Sequence, residues 1–260
     1  MSGVTSPRSQ QPQKPRVLYI TSRGHSGSTL LSLLTSGHSQ VVSAGELKML
    51  TNPDPERRLC SCHRLVPEQC PFWGAVQKRV LAAVGRPLDQ LVLGDNGDDS
   101  SFLADNEALF AAITAVSGAA LIVDSSKSLP RLSRLLAAEA QGAAFTLHPV
   151  HLHRGPFGSM NSARKKGDQL RQAAYNYTRL FFLSRELLQG STALLIYYEQ
   201  LASNPRAEMA QVMDWLQLPL EEGQFNWRDG VRRDIHGNAM RFDSSDQICL
   251  DQSWRHQLSI

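Results

Sequence analysis

The sequence predicts an α/β fold in which helices flank a P-loop-like central parallel β-sheet. Short apolar segments rich in β-branched or aromatic residues alternate with longer segments of helical periodicity, an alternation typical of parallel sheets. The first apolar segment runs through a Gly/Ser-rich turn directly into an apolar helix, an order typical of phosphate-binding folds. With 260 residues, of which 42% are hydrophobic, the chain is long enough to bury a sizeable core.

Five segments are predicted to be strands and six to be helices. The strands are residues 16–20, 40–43, 120–123, 150–153 and 193–197. The helices are residues 28–35, 73–84, 102–116, a segment from near 130 to 140, 168–188 and 204–216. The helix at 168–188 has the clearest amphipathic pattern, so its apolar face is predicted to belong to the core.

The predicted domain organisation is one domain preceded by a tail. Residues 1–15 are rich in Ser, Gln and Pro and lack the apolar stretch of a secretory signal, which predicts a disordered tail. Residues 16–260 are predicted to form one domain with a helical insert at about 50–115, and the chain after Pro219 is expected to fold back over the sheet. Because no apolar run approaches ~18 residues, we expect no membrane span and a cytoplasmic location.

An anion-binding turn is predicted at residues 22–29. A strand, a Gly/Ser turn and a helix N-terminus in this order direct backbone N–H groups outward, backed by the positive end of the helix dipole. No Lys stands where a nucleoside-triphosphatase loop needs one, so the turn suits one phosphate-like group better than a magnesium-bound triphosphate. The net charge of only +3 also favours a small polyanionic ligand over nucleic acid. The candidate binding residues are Arg23, Gly24, His25, Ser26, Gly27, Ser28 and Thr29.

A second anion contact is predicted where the strand at 150–153 is followed by Arg154, with Ser162 eight residues later. An Arg at the carboxyl end of a strand lies at the rim where α/β sheets bind ligands. A planar guanidinium and a hydroxyl together form a good phosphate clamp. The residues alone leave another interpretation equally open, in which Arg154 caps the sheet at the surface and Ser162 is an ordinary helical serine.

Together the two stretches resemble the sulfotransferases that use 3′-phosphoadenosine 5′-phosphosulfate (PAPS). Residues 25–30 are similar to the family's 5′-phosphosulfate loop, and Arg154 with Ser162 is similar to its 3′-phosphate site, in the family's order. Weaker similarities occur at Asp124-Ser125-Ser126-Lys127, at Tyr198-Glu199-Gln200-Leu201, and at His236-Gly237-Asn238 with Arg241, Asp251 and Trp254, the last set as in small bacterial members. One departure is His25, which stands where the family usually has Arg or Lys.

The resemblance implies a sulfotransferase fold and transfer of a sulfuryl group from PAPS to a hydroxyl of a small-molecule alcohol or phenol. Adenosine 3′,5′-bisphosphate would be the product, and no metal would be required in principle. Positioning and electrostatics should dominate such a reaction. Two alternatives stay open: a P-loop kinase of small molecules, which needs magnesium, and a non-catalytic nucleotide-binding relative. The insert and the tail after Pro219 are expected to shape the acceptor pocket.

Glu46 is the predicted base that takes the proton of the acceptor hydroxyl. It follows the second strand at the same rim, and with Gly45 it resembles the Gly-Glu pair whose Glu is the base in tyrosylprotein sulfotransferases. Alternatively it only stabilises a helix N-terminus. His151 and His153 are the alternative bases, because histidine is the base in the cytosolic branch of the family.

Lys127 is predicted to stabilise the leaving phosphate, together with His25 and the N–H groups of residues 27–29. It follows a strand at the ligand rim, although an exposed loop lysine has the same sequence pattern. Ser126 and Arg241 are further candidate cofactor-binding residues. Arg23 is the candidate to supply the charge that a neutral His25 lacks. The charge run Arg164, Lys165 and Lys166 is typical of a solvated helix surface and at most draws an anionic donor inward.

Three of the four cysteines cluster in the sequence at Cys60, Cys62 and Cys70, and the fourth is Cys249. These three residues with His63 could bind zinc, but their spacing does not match the usual C-x2-C pairs. A disulfide within the cluster is as plausible as zinc, and reduced structural thiols are favoured in a cytosol. The sequence does not indicate the oligomeric state.

Overall fold

Five parallel strands form one sheet at the centre of the molecule. The structure is a computed structural model that describes residues 14–230, 232–242 and 247–258. The strands are β1 (Arg16–Ser22), β2 (Val41–Gly45), β3 (Leu121–Asp124), β4 (Thr146–His153) and β5 (Leu194–Tyr197). Their order in the sheet is β2-β3-β1-β4-β5, and every neighbouring pair is parallel. The predicted α/β fold is confirmed, and each of the five predicted strands is present.

Nine α-helices lie within the described part of the chain. They are α1 (Ser28–Ser36), α2 (Pro71–Val84), α3 (Asp99–Ser117), α4 (Leu129–Ala140), α5 (Pro156–Lys165), α6 (Leu170–Leu187), α7 (Tyr198–Ser203), α8 (Pro205–Trp215) and α9 (Trp254–Gln257). All six predicted helices are among them. The sequence pattern does not reveal α7 and α9, because helices of 6 and 4 residues are too short to show a helical period.

The central strand β1 is covered on both faces. Val17, Leu18, Tyr19 and Ile20 are fully buried, as expected of a continuous apolar run inside a parallel sheet. Val17 and Tyr19 pack into the core on the side of α2, α3 and α4. Leu18 and Ile20 pack into the core on the side of α1 and α8. The sheet therefore forms the middle layer between two helical layers.

The apolar face of α6 is only partly buried, which corrects the prediction that it belongs to the core. Ala173 and Ser184 are the buried residues of this helix. On the same face Leu170 is 43% exposed, Ala174 is exposed, and Tyr177, Leu180 and Phe181 are half-buried. Helical periodicity shows that a helix has an apolar face, but the tertiary arrangement decides whether another element covers it.

The chain after Pro219 packs against the rest of the molecule at several of its described residues. Trp227 is buried in the core on the α1 side. The backbone of Ile235 pairs with Gly45 on one side and with Cys60 on the other. Since Gly45 ends β2, the residues that follow Ile235 reach the carboxyl edge of the sheet.

The remaining segments surround the sheet. Between β2 and β3, residues 46–120 contain α2 and α3, in the region of the predicted helical insert. Residues 1–13 of the predicted tail lie outside the described residues, whereas the Pro15 carbonyl accepts the Thr146 N–H at 2.9 Å. None of the helices that the structure describes is both long and apolar enough to cross a membrane.

The carboxyl ends of β1 to β4 lie at one edge of the sheet, where α/β folds bind ligands. Four chain segments leave the sheet there. They are residues 23–27 after β1, residue 46 after β2, residues 125–128 after β3 and residues 154–155 after β4. The topology thus gathers both predicted anion contacts and the predicted catalytic residues at one edge.

Candidate active site

The turn between β1 and α1 leads into the N-terminus of α1, and no side chain of the described residues caps this end of the helix. Gly27 is the N-cap residue, with φ 90°, and among the described residues no side chain caps α1 and no acid lies in its first turn. A side chain at Gly27 would collide with a ring, since a Cβ there would lie 2.5 Å from Tyr198 Cδ2. The turn presents backbone N–H groups and the positive helix end to an anion.

A cavity of about 690 Å³ opens beside this turn, a volume typical of small-molecule sites. Three groups of residues form most of its walls. The sheet edge contributes His25, Ser28, Glu46, Lys127 and Arg154; α5 and the turn after it contribute Ser162, Lys165 and Lys166; the C-terminal segment contributes His236, Asn238, Met240, Ile248, Cys249 and Asp251. Four of these residues are Lys or Arg and two are carboxylates, so the cavity suits an anionic ligand.

Arg154 and Ser162 share one site in this cavity. The Arg154 side chain is almost fully buried, and its Nη1 donates to the His25 carbonyl at 2.9 Å and to Ser162 Oγ at 3.3 Å. Its guanidinium lies over the Tyr198 ring, 4.5 Å from the ring centroid. Through the His25 carbonyl, this second anion position directly adjoins the first turn.

A carboxylate from the C-terminal segment occupies the other edge of this guanidinium. Asp251 Oδ2 lies 2.9 Å from Arg154 Nη2, and the Asp251 N–H donates to the Tyr198 hydroxyl at 3.2 Å. Burial alone would raise the pKa of Asp251, but hydrogen bonds from Ser253 and Arg154 lower it to about 2. In the free protein, an anionic side chain therefore lies where an anionic ligand group would contact Arg154.

Glu46 and Lys127 form an ion pair in the same cavity. Glu46 Oε1 and Lys127 Nζ are 2.5 Å apart, and their side chains are only 9% and 17% exposed. Lys127 Nζ also lies 3.5 Å from Ser28 Oγ in the first turn of α1. The ammonium group thus lies between the carboxylate and the anion-binding turn.

Unusual backbone conformations concentrate around this cavity. His25 (φ 65°), Lys127 (φ 60°) and His236 (φ 58°) are non-glycine residues in the left-handed region, and all three line it. Such conformations cost about 1–3 kcal/mol each and cluster at functional sites. Their shared location supports this cavity, rather than another surface, as the functional one.

The electrostatic environment keeps His25 neutral in the free protein. Burial lowers the pKa of its imidazole, and the charges of Lys166, Lys127 and Arg154 lower it further. An imidazole shifted in this direction carries no charge near pH 7. A neutral imidazole can donate a hydrogen bond but adds no positive charge to the cavity, whose positive charge comes from its lysines and Arg154.

The sequence model of the Sulfotransferase family matches residues 17–222, which is most of the chain. The chain belongs to the sulfotransferase family. No curated protein is significantly similar to this sulfotransferase in sequence. The match covers the anion-binding turn, Glu46, Lys127 and Arg154 with Ser162, but it ends before the segment with Asp251.

Solved sulfotransferase structures have the fold of this sulfotransferase. The sulfotransferase domain of the Synechococcus PCC 7002 olefin synthase superposes with a TM-score of 0.57 at 19% identity, over 99% of this chain and 93% of that one. The sulfotransferase domain from the curacin biosynthetic pathway gives 0.51 at 18% identity, over 94% and 96%. A sulfotransferase from Mycobacterium tuberculosis H37Rv gives 0.50 at 12% identity, over 89% and 77%. At these identities the likeness concerns the fold alone.

Several predicted site residues of this sulfotransferase lie beside a different, much smaller cleft. Arg23 and Ser26 line it together with the two candidate histidine bases. Arg23 Nη1 donates to the Ser159 carbonyl at 3.2 Å. Its side chain is therefore held against α5 and does not line the main cavity, although its charge still contributes to lowering the pKa of His25.

The two candidate histidine bases pack among aromatic rings. His153 Nε2 hydrogen-bonds the Tyr177 hydroxyl at 2.9 Å, and that hydroxyl donates to the Arg154 carbonyl at 3.0 Å. The rings of His151 and His153 lie 5.8 and 4.9 Å from the ring of Phe181. Burial, and then the charges of His153 and Arg185, lower the pKa of His151 to about 4. Neither histidine lines the cavity that contains Glu46.

Two residues predicted to contact the cofactor, Ser126 and Arg241, have protein partners and do not line the main cavity. The fully buried Ser126 hydroxyl donates to Asp124 Oδ1 at 2.5 Å and accepts the Lys48 N–H at 3.1 Å. Arg241 donates through Nη1 to two backbone carbonyls, at 2.8 and 3.0 Å. Both side chains stabilise the loops around the cavity without lining it.

The structure adds residues to the site that sequence analysis did not assign to it. Lys165 and Lys166 line the cavity although their charge run is typical of a solvated surface. They lie three and four residues after Ser162, so the helical period places all three on one face. Gly158 is also required, because a Cβ there would lie 2.7 Å from Arg154 Nε. The spacing of Ser162, Lys165 and Lys166 can be read from the sequence, whereas the role of Gly158 is visible only in the structure.

The expected contribution of the insert to the acceptor pocket is not observed. Among the described residues of the segment 50–115, none lines the main cavity. The C-terminal segment forms the wall instead, with His236 to Met240 and with Ile248 and Cys249. Through α2 and α3, the insert packs into the core on the face of the sheet that lies away from α1. It therefore influences the cavity only indirectly.

The predicted alternative of a zinc site with His63 as a ligand is corrected in one respect. The His63 ring stacks on Phe242, with ring centroids 4.5 Å apart. The three cysteines lie close together without it, and all are free thiols.

Proposed function

We propose that this sulfotransferase transfers a sulfuryl group from PAPS to a hydroxyl of a small-molecule alcohol or phenol. The observation that carries this proposal is that both anion positions line one cavity. Arg154 joins them, because the nitrogen that contacts Ser162 also donates to the His25 carbonyl. An adenosine with phosphate groups at both ends has the charge to occupy both positions.

The donor would be held at its two ends. The N–H groups of residues 27–29 and the ammonium of Lys127 would bind the 5′-phosphosulfate. Arg154 and Ser162, flanked by the two lysines of the α5 region, would bind the 3′-phosphate, which would replace the Asp251 carboxylate on the guanidinium. The similarity of these motifs to those of PAPS-using sulfotransferases supports this choice of donor.

Glu46 and Lys127 have the positions that sulfuryl transfer demands. PAPS supplies the sulfuryl group; the acceptor oxygen bonds to sulfur as the bond from sulfur to the 5′-phosphate oxygen breaks. Glu46 accepts the acceptor's proton, and Lys127 donates a hydrogen bond to the leaving oxygen as its negative charge grows. Lys127 is close to both the proposed base and the anion-binding turn, because its Nζ contacts Glu46 and lies 3.5 Å from Ser28 Oγ.

The C-terminal segment would contact the acceptor. It brings apolar side chains, Met240 and Ile248, and polar ones, His236 and Asn238, to the cavity that contains Glu46. A mixed lining of this kind suits a small organic alcohol or phenol, whose hydroxyl must face the carboxylate while its carbon frame packs against apolar groups.

Thermal unfolding with adenosine 3′,5′-bisphosphate, with Mg-ATP and with buffer alone tests the donor. A ligand that binds only the native state raises Tm. We expect the bisphosphate to raise the Tm of the wild type and of Arg206→Ala, but not of Arg154→Ala. Arg206 is the matched control because it is an exposed arginine paired with Glu222 outside the cavity. A larger shift with Mg-ATP, or an equal bisphosphate shift in Arg154→Ala, contradicts the proposal.

Transfer from PAPS labelled in its sulfuryl group into a metabolite extract tests the reaction and identifies the acceptor. We expect label in a small organic hydroxyl compound, and none with the heat-denatured protein. Bisphosphate binding without transfer to any alcohol or phenol would favour the non-catalytic relative.

A further inference from the structure

Three cysteines away from the cavity converge on one point. The Sγ atoms of Cys60, Cys62 and Cys70 all lie within 4.8 Å of one another, and Cys62 Sγ is 3.5 Å from Cys70 Sγ. Two thiolates bound to one tetrahedral zinc ion at about 2.3 Å are about 3.8 Å apart. The three sulfurs therefore have nearly the separations that a shared zinc ion requires.

A tight turn brings the first two sulfurs together. The Cys60 N–H donates to the Arg64 carbonyl and the His63 N–H to the Cys60 carbonyl, each at 2.9 Å. His63 has φ 61°, a left-handed conformation that closes the turn at an energetic cost. This turn holds the Cys60 and Cys62 sulfurs within 4.8 Å of each other.

The third sulfur belongs to a helix N-terminus. Cys70 is the N-cap residue of α2, followed by Pro71 at the first helical position. The positive end of the helix dipole stabilises a thiolate there. The Cys70 side chain makes no capping hydrogen bond to the helix, so its sulfur stays available to a ligand.

Burial and charge explain why a cation suits these sulfurs. Cys60 and Cys70 are 0% and 1% exposed, whereas Cys62 is partly buried. Water therefore solvates the first two sulfurs poorly. Two buried thiolates and one partly buried thiolate this close together repel each other, and a bound divalent ion offsets most of that repulsion.

We propose that Cys60, Cys62 and Cys70 bind one zinc ion, with water as the fourth ligand. Thiolate ligands and tetrahedral geometry favour zinc over magnesium or calcium. No other His, Cys, Asp or Glu among the described residues belongs to this group. Cys62 is only partly buried, so solvent reaches the open position.

A disulfide between Cys62 and Cys70 would use two of the same atoms. It would bring these sulfurs to about 2.05 Å and leave Cys60 as an unused buried thiol. The convergence of all three sulfurs favours the metal over this disulfide, which would use only two of them.

The proposed ion would stabilise the wall of the cavity. Cys60 pairs through its backbone with Ile235, and the Ile235 carbonyl accepts the Glu46 N–H at 2.9 Å. Residues His236 to Met240 follow directly and line the cavity. Loss of zinc should therefore lower Tm and make this wall less ordered. It would remove none of the side chains that are proposed to contact the donor.

Metal analysis of purified protein tests the site directly. We expect one zinc ion per chain in the wild type and in Cys249→Ser, and its loss in Cys62→Ser. Cys62 is the residue to replace because it is partly exposed, so its substitution disturbs the core least. Cys249→Ser is the matched control, since it makes the same change at an exposed cysteine outside the group.

A second measurement needs no variant and so is independent of folding defects. The reduced, metal-free wild type is alkylated with and without added zinc, and each cysteine is followed by mass spectrometry. Zinc should slow the alkylation of Cys62 by about tenfold or more, because a bound thiolate is not a free nucleophile, and should leave Cys249 unaffected. Added cobalt should produce thiolate-to-metal charge-transfer absorption.

Each contrary result would overturn the zinc assignment. These results are zinc-free protein after expression in zinc-supplemented medium, equal alkylation of Cys62 with and without zinc, a Cys62–Cys70 disulfide in protein prepared without air, and iron in place of zinc.

Discussion

Two clefts border Arg154 at the carboxyl edge of the sheet, and each contains a predicted proton acceptor. The larger, about 690 Å³, holds Glu46 among lysine and arginine side chains. The smaller, about 10 Å³, holds His151 and His153 among aromatic rings. Glu46 follows β2, and the two histidines lie in the last residues of β4, at the same edge of the sheet. The difference teaches that room for a ligand and the charge around it, rather than position in the topology, distinguish a candidate base from a packed side chain.

Replacing the acceptor of each cleft in turn gives the largest contrast. Glu46→Gln should lower kcat by about 10²–10⁴-fold, because a general base is lost while the shape is kept. His151→Asn and His153→Gln should stay within a few-fold of the wild type. Turnover of labelled PAPS measures this, with the bisphosphate Tm shift as evidence that Glu46→Gln still binds. Near-normal turnover in Glu46→Gln with a large loss in a histidine variant would place the base in the smaller cleft.

The cation of the larger cleft should matter next. Lys127→Met should lower kcat by about 10²–10³-fold, because the growing charge on the leaving oxygen loses a preorganised donor. Lys78→Met is the control, as Lys78 is an exposed lysine on α2. Steady-state kinetics separates this from a binding defect: a raised KM with unchanged kcat would limit Lys127 to holding the donor.

The Asp251 carboxylate, which lines the larger cleft and pairs with Arg154, should compete with the donor for this arginine. Asp251→Asn should tighten binding of adenosine 3′,5′-bisphosphate by about two- to fivefold, since it removes a partly exposed ion pair that the 3′-phosphate must break. Calorimetric titration measures the Kd, with Asp214→Asn on the exposed side of α8 as control. Weaker binding instead would show that Asp251 orients Arg154 for its ligand.

Proton uptake by His25 should make bisphosphate binding pH-dependent. Burial and the neighbouring cations lower its pKa in the free protein, and a bound phosphate group beside it would raise that pKa. Between the two values the complex binds more protons than the free protein, so affinity should rise as pH falls through this window. Comparing the Kd at several pH values with that of His25→Asn isolates the effect from titration of the phosphate itself. An equal pH dependence in both proteins would contradict it.

The histidines of the smaller cleft should affect the free energy of unfolding in acid rather than the activity. Burial lowers the pKa of His151 to about 4, whereas the ordinary value is 6.5. Between these values the unfolded chain binds more protons than the folded one. The free energy of unfolding should therefore be highest above pH 6.5 and should decline as pH falls towards 4. Urea unfolding across this range should show a shallower decline for His151→Asn. An unchanged decline would mean that other groups control the acid sensitivity.

The local patterns of the anion turn and of Arg154 with Ser162 were sufficient to predict two candidate anion positions and that both lie at the sheet edge. The strand order could not be predicted from them, and neither could the distance between the two positions. The ion pair of Glu46 and Lys127 joins residues 81 apart in the chain. Local sequence contains no information on such a contact, because it depends on which strands become neighbours.

Long-range contacts also explain other differences from the sequence predictions. Ser126 and Arg241 have residue types suited to phosphate, yet the Ser126 hydroxyl accepts the Lys48 N–H and Arg241 donates to the Leu59 carbonyl. The partly exposed face of α6 has the period of a core helix, but the structure places no layer over all of it. Asp251 received no separate role in the sequence, although tertiary folding places its carboxylate on Arg154.

Alone, the amino-acid sequence determined the alternation of strands and helices, the uncapped turn before α1 and the candidate residue types for anion binding, because these depend on near neighbours in the chain. The tertiary structure decided which acid meets which cation, which histidines pack instead of facing a ligand, and that three cysteines share one point. Those outcomes depend on long-range packing and on the burial and charge that it creates, which no local pattern records.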